Sequence, residues 1–153
     1  KRQDIELGSA QWLTLNKYNA AENNTEGCLT KLKEQGYKII ATTPHAKDLT
    51  FDTISVDNKT ALVFGTELDG ISEVVRNHAD NFLSFPMYGF TESFNISVSV
   101  AIALSHLSYK LHASQIDWTL SKSERQEVLL QWLRNTIKSA PQIEEAFIKE
   151  FQE

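Results

Sequence analysis

The alternation of short apolar runs with helix-like segments is the strongest constraint on the fold. The runs "YKIIATTP" at 37–44, "ALVFG" at 61–65 and "NFLSFPM" at 81–87 are apolar almost throughout. Strands of this kind are buried on both faces, as in parallel sheets covered by helices. The sequence therefore predicts an α/β domain with a mostly parallel sheet flanked by helices.

Two further elements are predicted before the first of these runs. The segment "WLTLNKY" at 12–18 alternates apolar with polar residues, which is typical of a short strand. A helix is predicted over 23–36, capped by Asn24 or Thr25 and ended by Gly36.

More helices are predicted in the second half of the chain. A short one covers 71–79, and a long one covers 93–111, which is apolar on most sides. Beyond residue 111 the sequence is amphipathic and charged, which predicts a helix capped by Ser121 or Ser123. Pro141 is expected to break that helix, and a last helix follows.

Composition narrows the class of protein. A length of 153 residues is enough for one domain with a real core. The single cysteine, Cys28, has no partner for a disulfide or a zinc site, which favours a cytoplasmic protein. No apolar run is long enough for a membrane span. The net charge of −5 disfavours nucleic-acid binding over the whole surface but permits a local basic patch.

Three polar loops follow the predicted strands, namely "ATTPHAKD", "FGTELDGIS" and "FPMYGFTESFN". Ligands in parallel α/β sheets bind outside the carboxyl ends of strands, so these loops are expected to form one site. Gly65 and Gly70 permit close approach of backbone. Ser93 and Asn95 fall at a helix N-terminus, where plain capping by Thr91 or Ser93 is the alternative interpretation.

Several other chemistries are disfavoured by spacing. The sequence contains neither a phosphate-binding glycine loop nor a G-x-S-x-G nucleophile motif. No histidine pairs with a cysteine or another histidine at zinc-ligand spacing, so no metal site is expected. His45 is the one histidine in a candidate site loop.

The second and third loops carry a family resemblance. "ALVFGTELDGIS", followed by "LSFPMYGFTESFNISVSVAIAL", closely resembles the second and third motifs of the SpoU/TrmH family. These are S-adenosylmethionine-dependent RNA 2′-O-ribose methyltransferases of the SPOUT superfamily. "GSAQWLTL" and "LKEQGYKIIATTPHA" also resemble the family's upstream segments, so the similarity covers roughly residues 7–111.

The resemblance implies an architecture and partners. It implies a SPOUT methyltransferase domain over 1–112 with a C-terminal deep trefoil knot, and a helical extension over 113–153. It further implies S-adenosyl-L-methionine as cofactor, a homodimer, and RNA as substrate. The branch that the chain most resembles typically modifies the ribose of a guanosine in the tRNA D-loop. Ribosomal RNA is the alternative substrate.

The resemblance also implies roles for individual residues. Glu67 would organise the site and its RNA contacts, while Ser93 and Asn95 would position the catalytic arginine, the cofactor loop and the target ribose. Cofactor contacts would come mainly from the backbone around Thr42, Thr43, Gly65, Phe85, Met87 and Phe94. Phe85 and Phe94 replace the family's usual aliphatic residues but keep the apolar character.

One family motif is missing. No asparagine is followed six positions later by an arginine, although the family's first motif, N-x-x-x-x-x-R, carries the arginine thought to activate the ribose hydroxyl. In the family this motif precedes "GSAQWL", so an N-terminally truncated chain that is inactive alone is expected. A non-catalytic cofactor- or RNA-binding module and a structural dimerisation domain are the alternatives.

Overall fold

The computed structural model describes residues 12–20, 22–45 and 48–151. Two compact units make up the chain. The larger unit is Tyr18–Asp117, and the other combines Lys1–Lys17 with Trp118–Glu153. The division at residue 112 that the family resemblance implies stays a prediction.

A three-stranded parallel sheet forms the centre of the larger unit. Its strands are β1 (Lys38–Thr42), β2 (Thr60–Val63) and β3 (Asn81–Leu83), in the order β2-β1-β3. Ile40 of β1 pairs with Leu62 on one side and with Asn81 on the other. The predicted α/β class with a mostly parallel sheet is confirmed, and the sheet is small.

Five helices are found in the described part of the chain: α1 (Asn24–Glu34), α2 (Glu73–His78), α3 (Ile96–Ala113), α4 (Lys122–Thr136) and α5 (Ala140–Glu150). The first three belong to the larger unit, and the last two belong to the other unit. Helices were predicted in each of these regions.

Both faces of the sheet are covered, as the apolar strands predicted. Successive side chains of a strand point to opposite faces. Ile39 and Ala41 therefore join a core on one face, and Ile40 joins a core on the other. The first core is completed by Leu29 of α1, by Val75 of α2 and by Ile71, which lies just before α2. The second core is completed by Ala103 of α3 and by Phe51 and Ile54 from the segment after β1.

Asp80 fastens the start of β3 to β1 and α1. Its carboxylate accepts hydrogen bonds from the Ile39 backbone N–H at 2.7 Å and from Lys33 Nζ at 3.0 Å. Its own N–H donates to the Ile39 carbonyl at 2.8 Å. Burial acts to raise the pKa of the Asp80 carboxyl, but the hydrogen bonds from Ile39 and Lys33 outweigh it and hold this pKa below its ordinary value.

The ends of α1 were predicted in part. Gly36 ends the helix with φ +81°, and the N–H groups of Gly36 and Tyr37 donate to the carbonyls of Lys33 and Leu32. This double hydrogen bond is the Schellman arrangement, which favours glycine. At the other end the N-cap is Asn23, so the predicted caps Asn24 and Thr25 were wrong by one or two positions.

The strand predicted over 12–18 is absent. These residues form no ladder with any strand among the described residues, and Leu13 and Leu15 are exposed. Alternation is a local signal, whereas a strand also needs a neighbour for its backbone hydrogen bonds. Instead, Trp12 meets Trp132 edge to face at 5.3 Å, and its carbonyl accepts a hydrogen bond from Trp132 Nε1.

The C-terminal helices confirm one predicted cap and correct one predicted break. Ser121 caps α4, and its partner Glu124 completes a capping box. Helix α4 ends at Thr136, before Pro141 is reached, and Pro141 instead lies in the first turn of α5. A first turn tolerates proline because the N–H that proline lacks would have no partner there.

Candidate active site

The three loops predicted to form a site meet at a cleft of ≈ 360 Å³ in the larger unit. They follow the carboxyl ends of β1, β2 and β3, and the cleft falls within the roughly 300–1,000 Å³ typical of ligand pockets. The residues predicted to contact a cofactor all line it: Thr42, Thr43, Gly65, Phe85, Met87 and Phe94. Glu67 and Ser93 line it as well.

The floor of the cleft is fixed by the end of β1. The Thr42 hydroxyl donates to the carbonyl of Val63 in β2 at 3.1 Å. The Thr43 N–H donates to the carbonyl of Leu83 in β3 at 3.1 Å. Because β1 lies between the other two strands, these bonds hold all three strand ends together where the loops begin.

The second loop is closed into a small ring by paired backbone groups. Thr66 N–H donates to the Gly70 carbonyl at 2.9 Å, and Gly70 N–H donates to the Thr66 carbonyl at 3.0 Å. The Thr66 hydroxyl accepts a third bond from the Asp69 N–H at 3.0 Å. Glu67 is therefore presented from a short, hydrogen-bonded loop.

Gly65 makes this closure possible. A Cβ at residue 65 would clash with the carbonyl of Gly70 and with the backbone nitrogen of Ile71. Gly70 itself has φ +66°, a conformation that residues with a side chain rarely adopt. Gly65 thus permits the close approach of two backbone segments, whereas Gly70 permits a backbone conformation with positive φ in the same loop.

The third loop ends at the N-cap of α3. Asn95 Oδ1 accepts a hydrogen bond from the Ser97 N–H at 2.9 Å, so Asn95 is the cap. The interpretation in which Thr91 or Ser93 caps this helix is wrong, because the helix begins later than predicted, at Ile96. Ser93 is thus not the cap of α3, and it lines the cleft.

Asn95 also joins the third loop to the second. Its Nδ2 donates to Glu67 Oε1 at 3.4 Å, a long hydrogen bond between residues 28 positions apart. Asn95 is not itself part of the cleft lining, so its link to the cleft is its contact with Glu67. The three residues predicted as catalytic are brought together, and their roles stay predictions.

Three further charged residues, to which no role was assigned from the sequence, also border the cleft. They are Arg76, Asp69 and Glu92. Asp69 and Glu92 lie inside the loop motifs themselves, so their position there was the signal. Arg76 was not predicted as a site residue, although it belongs to the helix that directly follows the second loop.

The described residues hold no group of three or more histidine, cysteine, aspartate or glutamate side chains arranged to bind a metal ion. Across the same residues, no helix combines the length and the apolar character that crossing a membrane requires.

Comparison with known families agrees with this geometry. Residues 2–105 match the SpoU rRNA Methylase family. The matched stretch includes all three strands and all three loops of the cleft. The chain belongs to this family. The resemblance found in the motifs of the SpoU/TrmH family is thereby confirmed.

Individual SpoU family relatives extend the comparison. The chain is 41% identical over 141 residues to a tRNA (guanosine(18)-2′-O)-methyltransferase of Borreliella burgdorferi. This match covers 92% of this chain and 63% of that protein. A 23S rRNA (guanosine-2′-O-)-methyltransferase of Nitrosomonas europaea is 38% identical over 84 residues, covering 55% of this chain and 32% of that protein.

A solved structure of the SpoU family shares the fold. The TrmH/SpoU tRNA modifying enzyme of A. aeolicus superposes with a TM-score of 0.59 at 30% identity, covering 73% of this chain and 58% of that one. The chain spans about three fifths of the length of the curated tRNA methyltransferases that it matches.

Proposed function

We propose that the protein carrying this chain is a tRNA 2′-O-ribose methyltransferase that uses S-adenosyl-L-methionine, with a D-loop guanosine as its target. The observation that carries the proposal is the convergence of both family motifs on one cleft. Glu67 comes from the second motif and Ser93 from the third, and both line that cleft.

The cleft has features that suit this cofactor. Thr42, Thr43 and Gly65 border it, and the bare Cα of Gly65 lets two backbone segments approach closely. The apolar side chains of Phe85, Met87 and Phe94 would pack against an adenine ring. When bound, the cofactor would supply an electrophilic methyl group.

The chain's own residues would hold and orient the ribose. A ribose 2′-hydroxyl is a weak nucleophile while protonated, so positioning and proton removal both matter. Glu67 is tied to Asn95, which favours a positioning role for this carboxylate. Ser93, whose hydroxyl is not needed to cap α3, would help to position the ribose and the catalytic arginine.

The extent of similarity supports tRNA over ribosomal RNA. The similarity to the Borreliella burgdorferi tRNA enzyme covers 141 residues, which is more than all the residues up to the end of α3 at Ala113. It therefore reaches into the C-terminal helices. The similarity to the 23S rRNA enzyme spans only 84 residues.

A deep trefoil knot, a homodimer and a cytoplasmic location belong to the same proposal. A SpoU family chain that superposes on a TrmH/SpoU enzyme supports the knot. Exposed apolar side chains on α3, among them Val98 and Leu104, are surface that a second copy would cover. The lone cysteine, Cys28, is free, as suits a reducing compartment.

Two measurements test the proposal. Calorimetry should detect binding of S-adenosylmethionine or its demethylated product to the chain, and the absence of both heat and a thermal shift would remove the cofactor. Transfer of labelled methyl groups to unmodified tRNA should be weak for the 153-residue chain alone and strong for a longer form carrying N-x-x-x-x-x-R. Equal transfer by both would show that the missing arginine has a substitute.

A further inference from the structure

Arg76 occupies a defined place beside the cleft. It lies on α2, whose first turn is capped by the Ser72 hydroxyl, which accepts a hydrogen bond from the Val75 N–H. Val75 is 5% exposed and anchors the helix in the core beneath the sheet. The residue that follows this anchor, Arg76, is exposed and lines the cleft.

Arg76 brings a positive charge to a cleft whose other charged lining residues, among those described, are acids. It is the one lysine or arginine among the described residues that line the cleft, where the acids are Glu67, Asp69 and Glu92. None of the ion pairs found between described residues includes it. A guanidinium that borders a cleft without a carboxylate partner is available to an anion from outside the chain.

The proposed substrate brings such an anion to this place. In RNA, the 2′-hydroxyl and the 3′-phosphodiester are attached to adjacent carbons of one ribose. Whatever holds the 2′-hydroxyl at the cleft therefore also brings a phosphate to its edge. Three acids alone would repel that phosphate, and an arginine can bind two of its oxygens at once.

The cofactor is a poorer match for Arg76. Its sulfonium and ammonium groups outnumber its one carboxylate, so its net charge is positive and suits the acids of the cleft. The backbone and apolar groups that suit the cofactor come from the loops, whereas Arg76 comes from α2. We propose that Arg76 binds the RNA phosphate next to the target ribose, an inference that rests on the proposed function.

The test compares Arg76→Gln and Arg76→Lys with Lys59→Gln as the matched control. Lys59 immediately precedes β2, so it lies at the amino ends of the strands, at the opposite edge of the sheet from the cleft. The probes are an unmodified tRNA transcript, titrated at several salt concentrations, and the demethylated cofactor. Thermal unfolding of each variant checks that it folds.

For Arg76→Gln, tRNA affinity at low salt should fall about tenfold, and the slope of log K against log salt should shrink by about 1. Arg76→Lys should recover part of the affinity, and Lys59→Gln should match the wild type. Affinity for the demethylated cofactor should be unchanged in all three variants.

Three results would overturn the assignment: unchanged tRNA affinity and salt slope in Arg76→Gln, an equal loss in Lys59→Gln, or weakened cofactor binding in Arg76→Gln. The last would identify the cofactor carboxylate as the ligand of Arg76. A wild-type chain that binds neither cofactor nor tRNA would remove the proposed function together with this inference. Wild-type binding that Arg76→Gln retains in full would remove only the assignment of Arg76.

Discussion

Asn95 holds Glu67 and the start of α3 with the two ends of one amide group. Its Nδ2 donates to Glu67 Oε1, and its Oδ1 accepts from the Ser97 N–H. The two bonds fix which side of the amide is oxygen, so a change at this residue can separate helix capping from organisation of the site.

Asn95→Ala should lose both bonds, whereas Asn95→Ser should keep the cap and lose only the link to Glu67. Serine caps helices about as well as asparagine does, so the free energy of unfolding should fall by about 0.5–2 kcal/mol in the alanine variant and by less in the serine variant. Urea unfolding measures this difference. Equal losses in both variants would show that Asn95 does not stabilise α3 as a cap.

Gly65→Ala should open the second loop and abolish binding of the demethylated cofactor, because the added Cβ would clash with the backbone of Gly70 and Ile71. Gly27→Ala is the matched control, since Gly27 lies within α1 and a Cβ there meets nothing within 4 Å. It should raise the free energy of unfolding by roughly 0.5–1 kcal/mol. Calorimetry and urea unfolding are the measurements, and full cofactor binding by Gly65→Ala would contradict the close approach.

Stability should fall in acid through Asp80. The pKa of this carboxyl is lowered from an ordinary value of 3.8, so its contribution is present above that pH and is lost as pH falls through the folded-state pKa. Asp80→Asn should show a smaller loss of unfolding midpoint between neutral pH and the acid range. Asp52→Asn is the control, because no hydrogen bond of the Asp52 side chain is found among the described residues, and it should follow the wild-type curve. Parallel curves for wild type and Asp80→Asn would refute the role of Asp80.

Ser121 and Ser123 were equal candidates for the cap of α4, and the structure assigns the role to Ser121. Ser121→Ala should therefore destabilise the helix by about 0.5–2 kcal/mol. Ser123→Ala should be neutral or slightly stabilising, because alanine is the better helix former inside a helix. Loss of helical circular dichroism on heating compares the two, and the reverse order would contradict the assignment.

The strands were predictable from the sequence because burial on both faces makes consecutive residues of a strand apolar. Burial in the fold is thus visible in a short stretch of sequence. Ile39 and Ile40 are both buried although they point to opposite faces. The segment 12–18 failed for the opposite reason. Its alternation met the local requirement of a strand, but no described strand lies beside it to satisfy its backbone.

The site, too, was predictable from the sequence in some features and not in others. The meeting of three loops was predictable because the carboxyl ends of parallel strands share one edge of the sheet. The contact between Asn95 and Glu67 was not predictable from pattern, because it depends on where the chain resumes a helix after the third loop. Arg76 was missed because its side of α2 is set by the burial of Val75, which only packing determines.

The strand order also bears on how this chain is synthesised. β1 is synthesised first, yet it is the middle strand of the sheet. Ile40 of β1 pairs with Leu62 on one side and Asn81 on the other, and both of these residues are synthesised later. Until residues as far as β3 have left the ribosome, at least one edge of β1 has no partner from its own sheet. Such edges are templates for pairing with other chains. The nascent chain is therefore most vulnerable to misassociation just before the third loop of the cleft is complete.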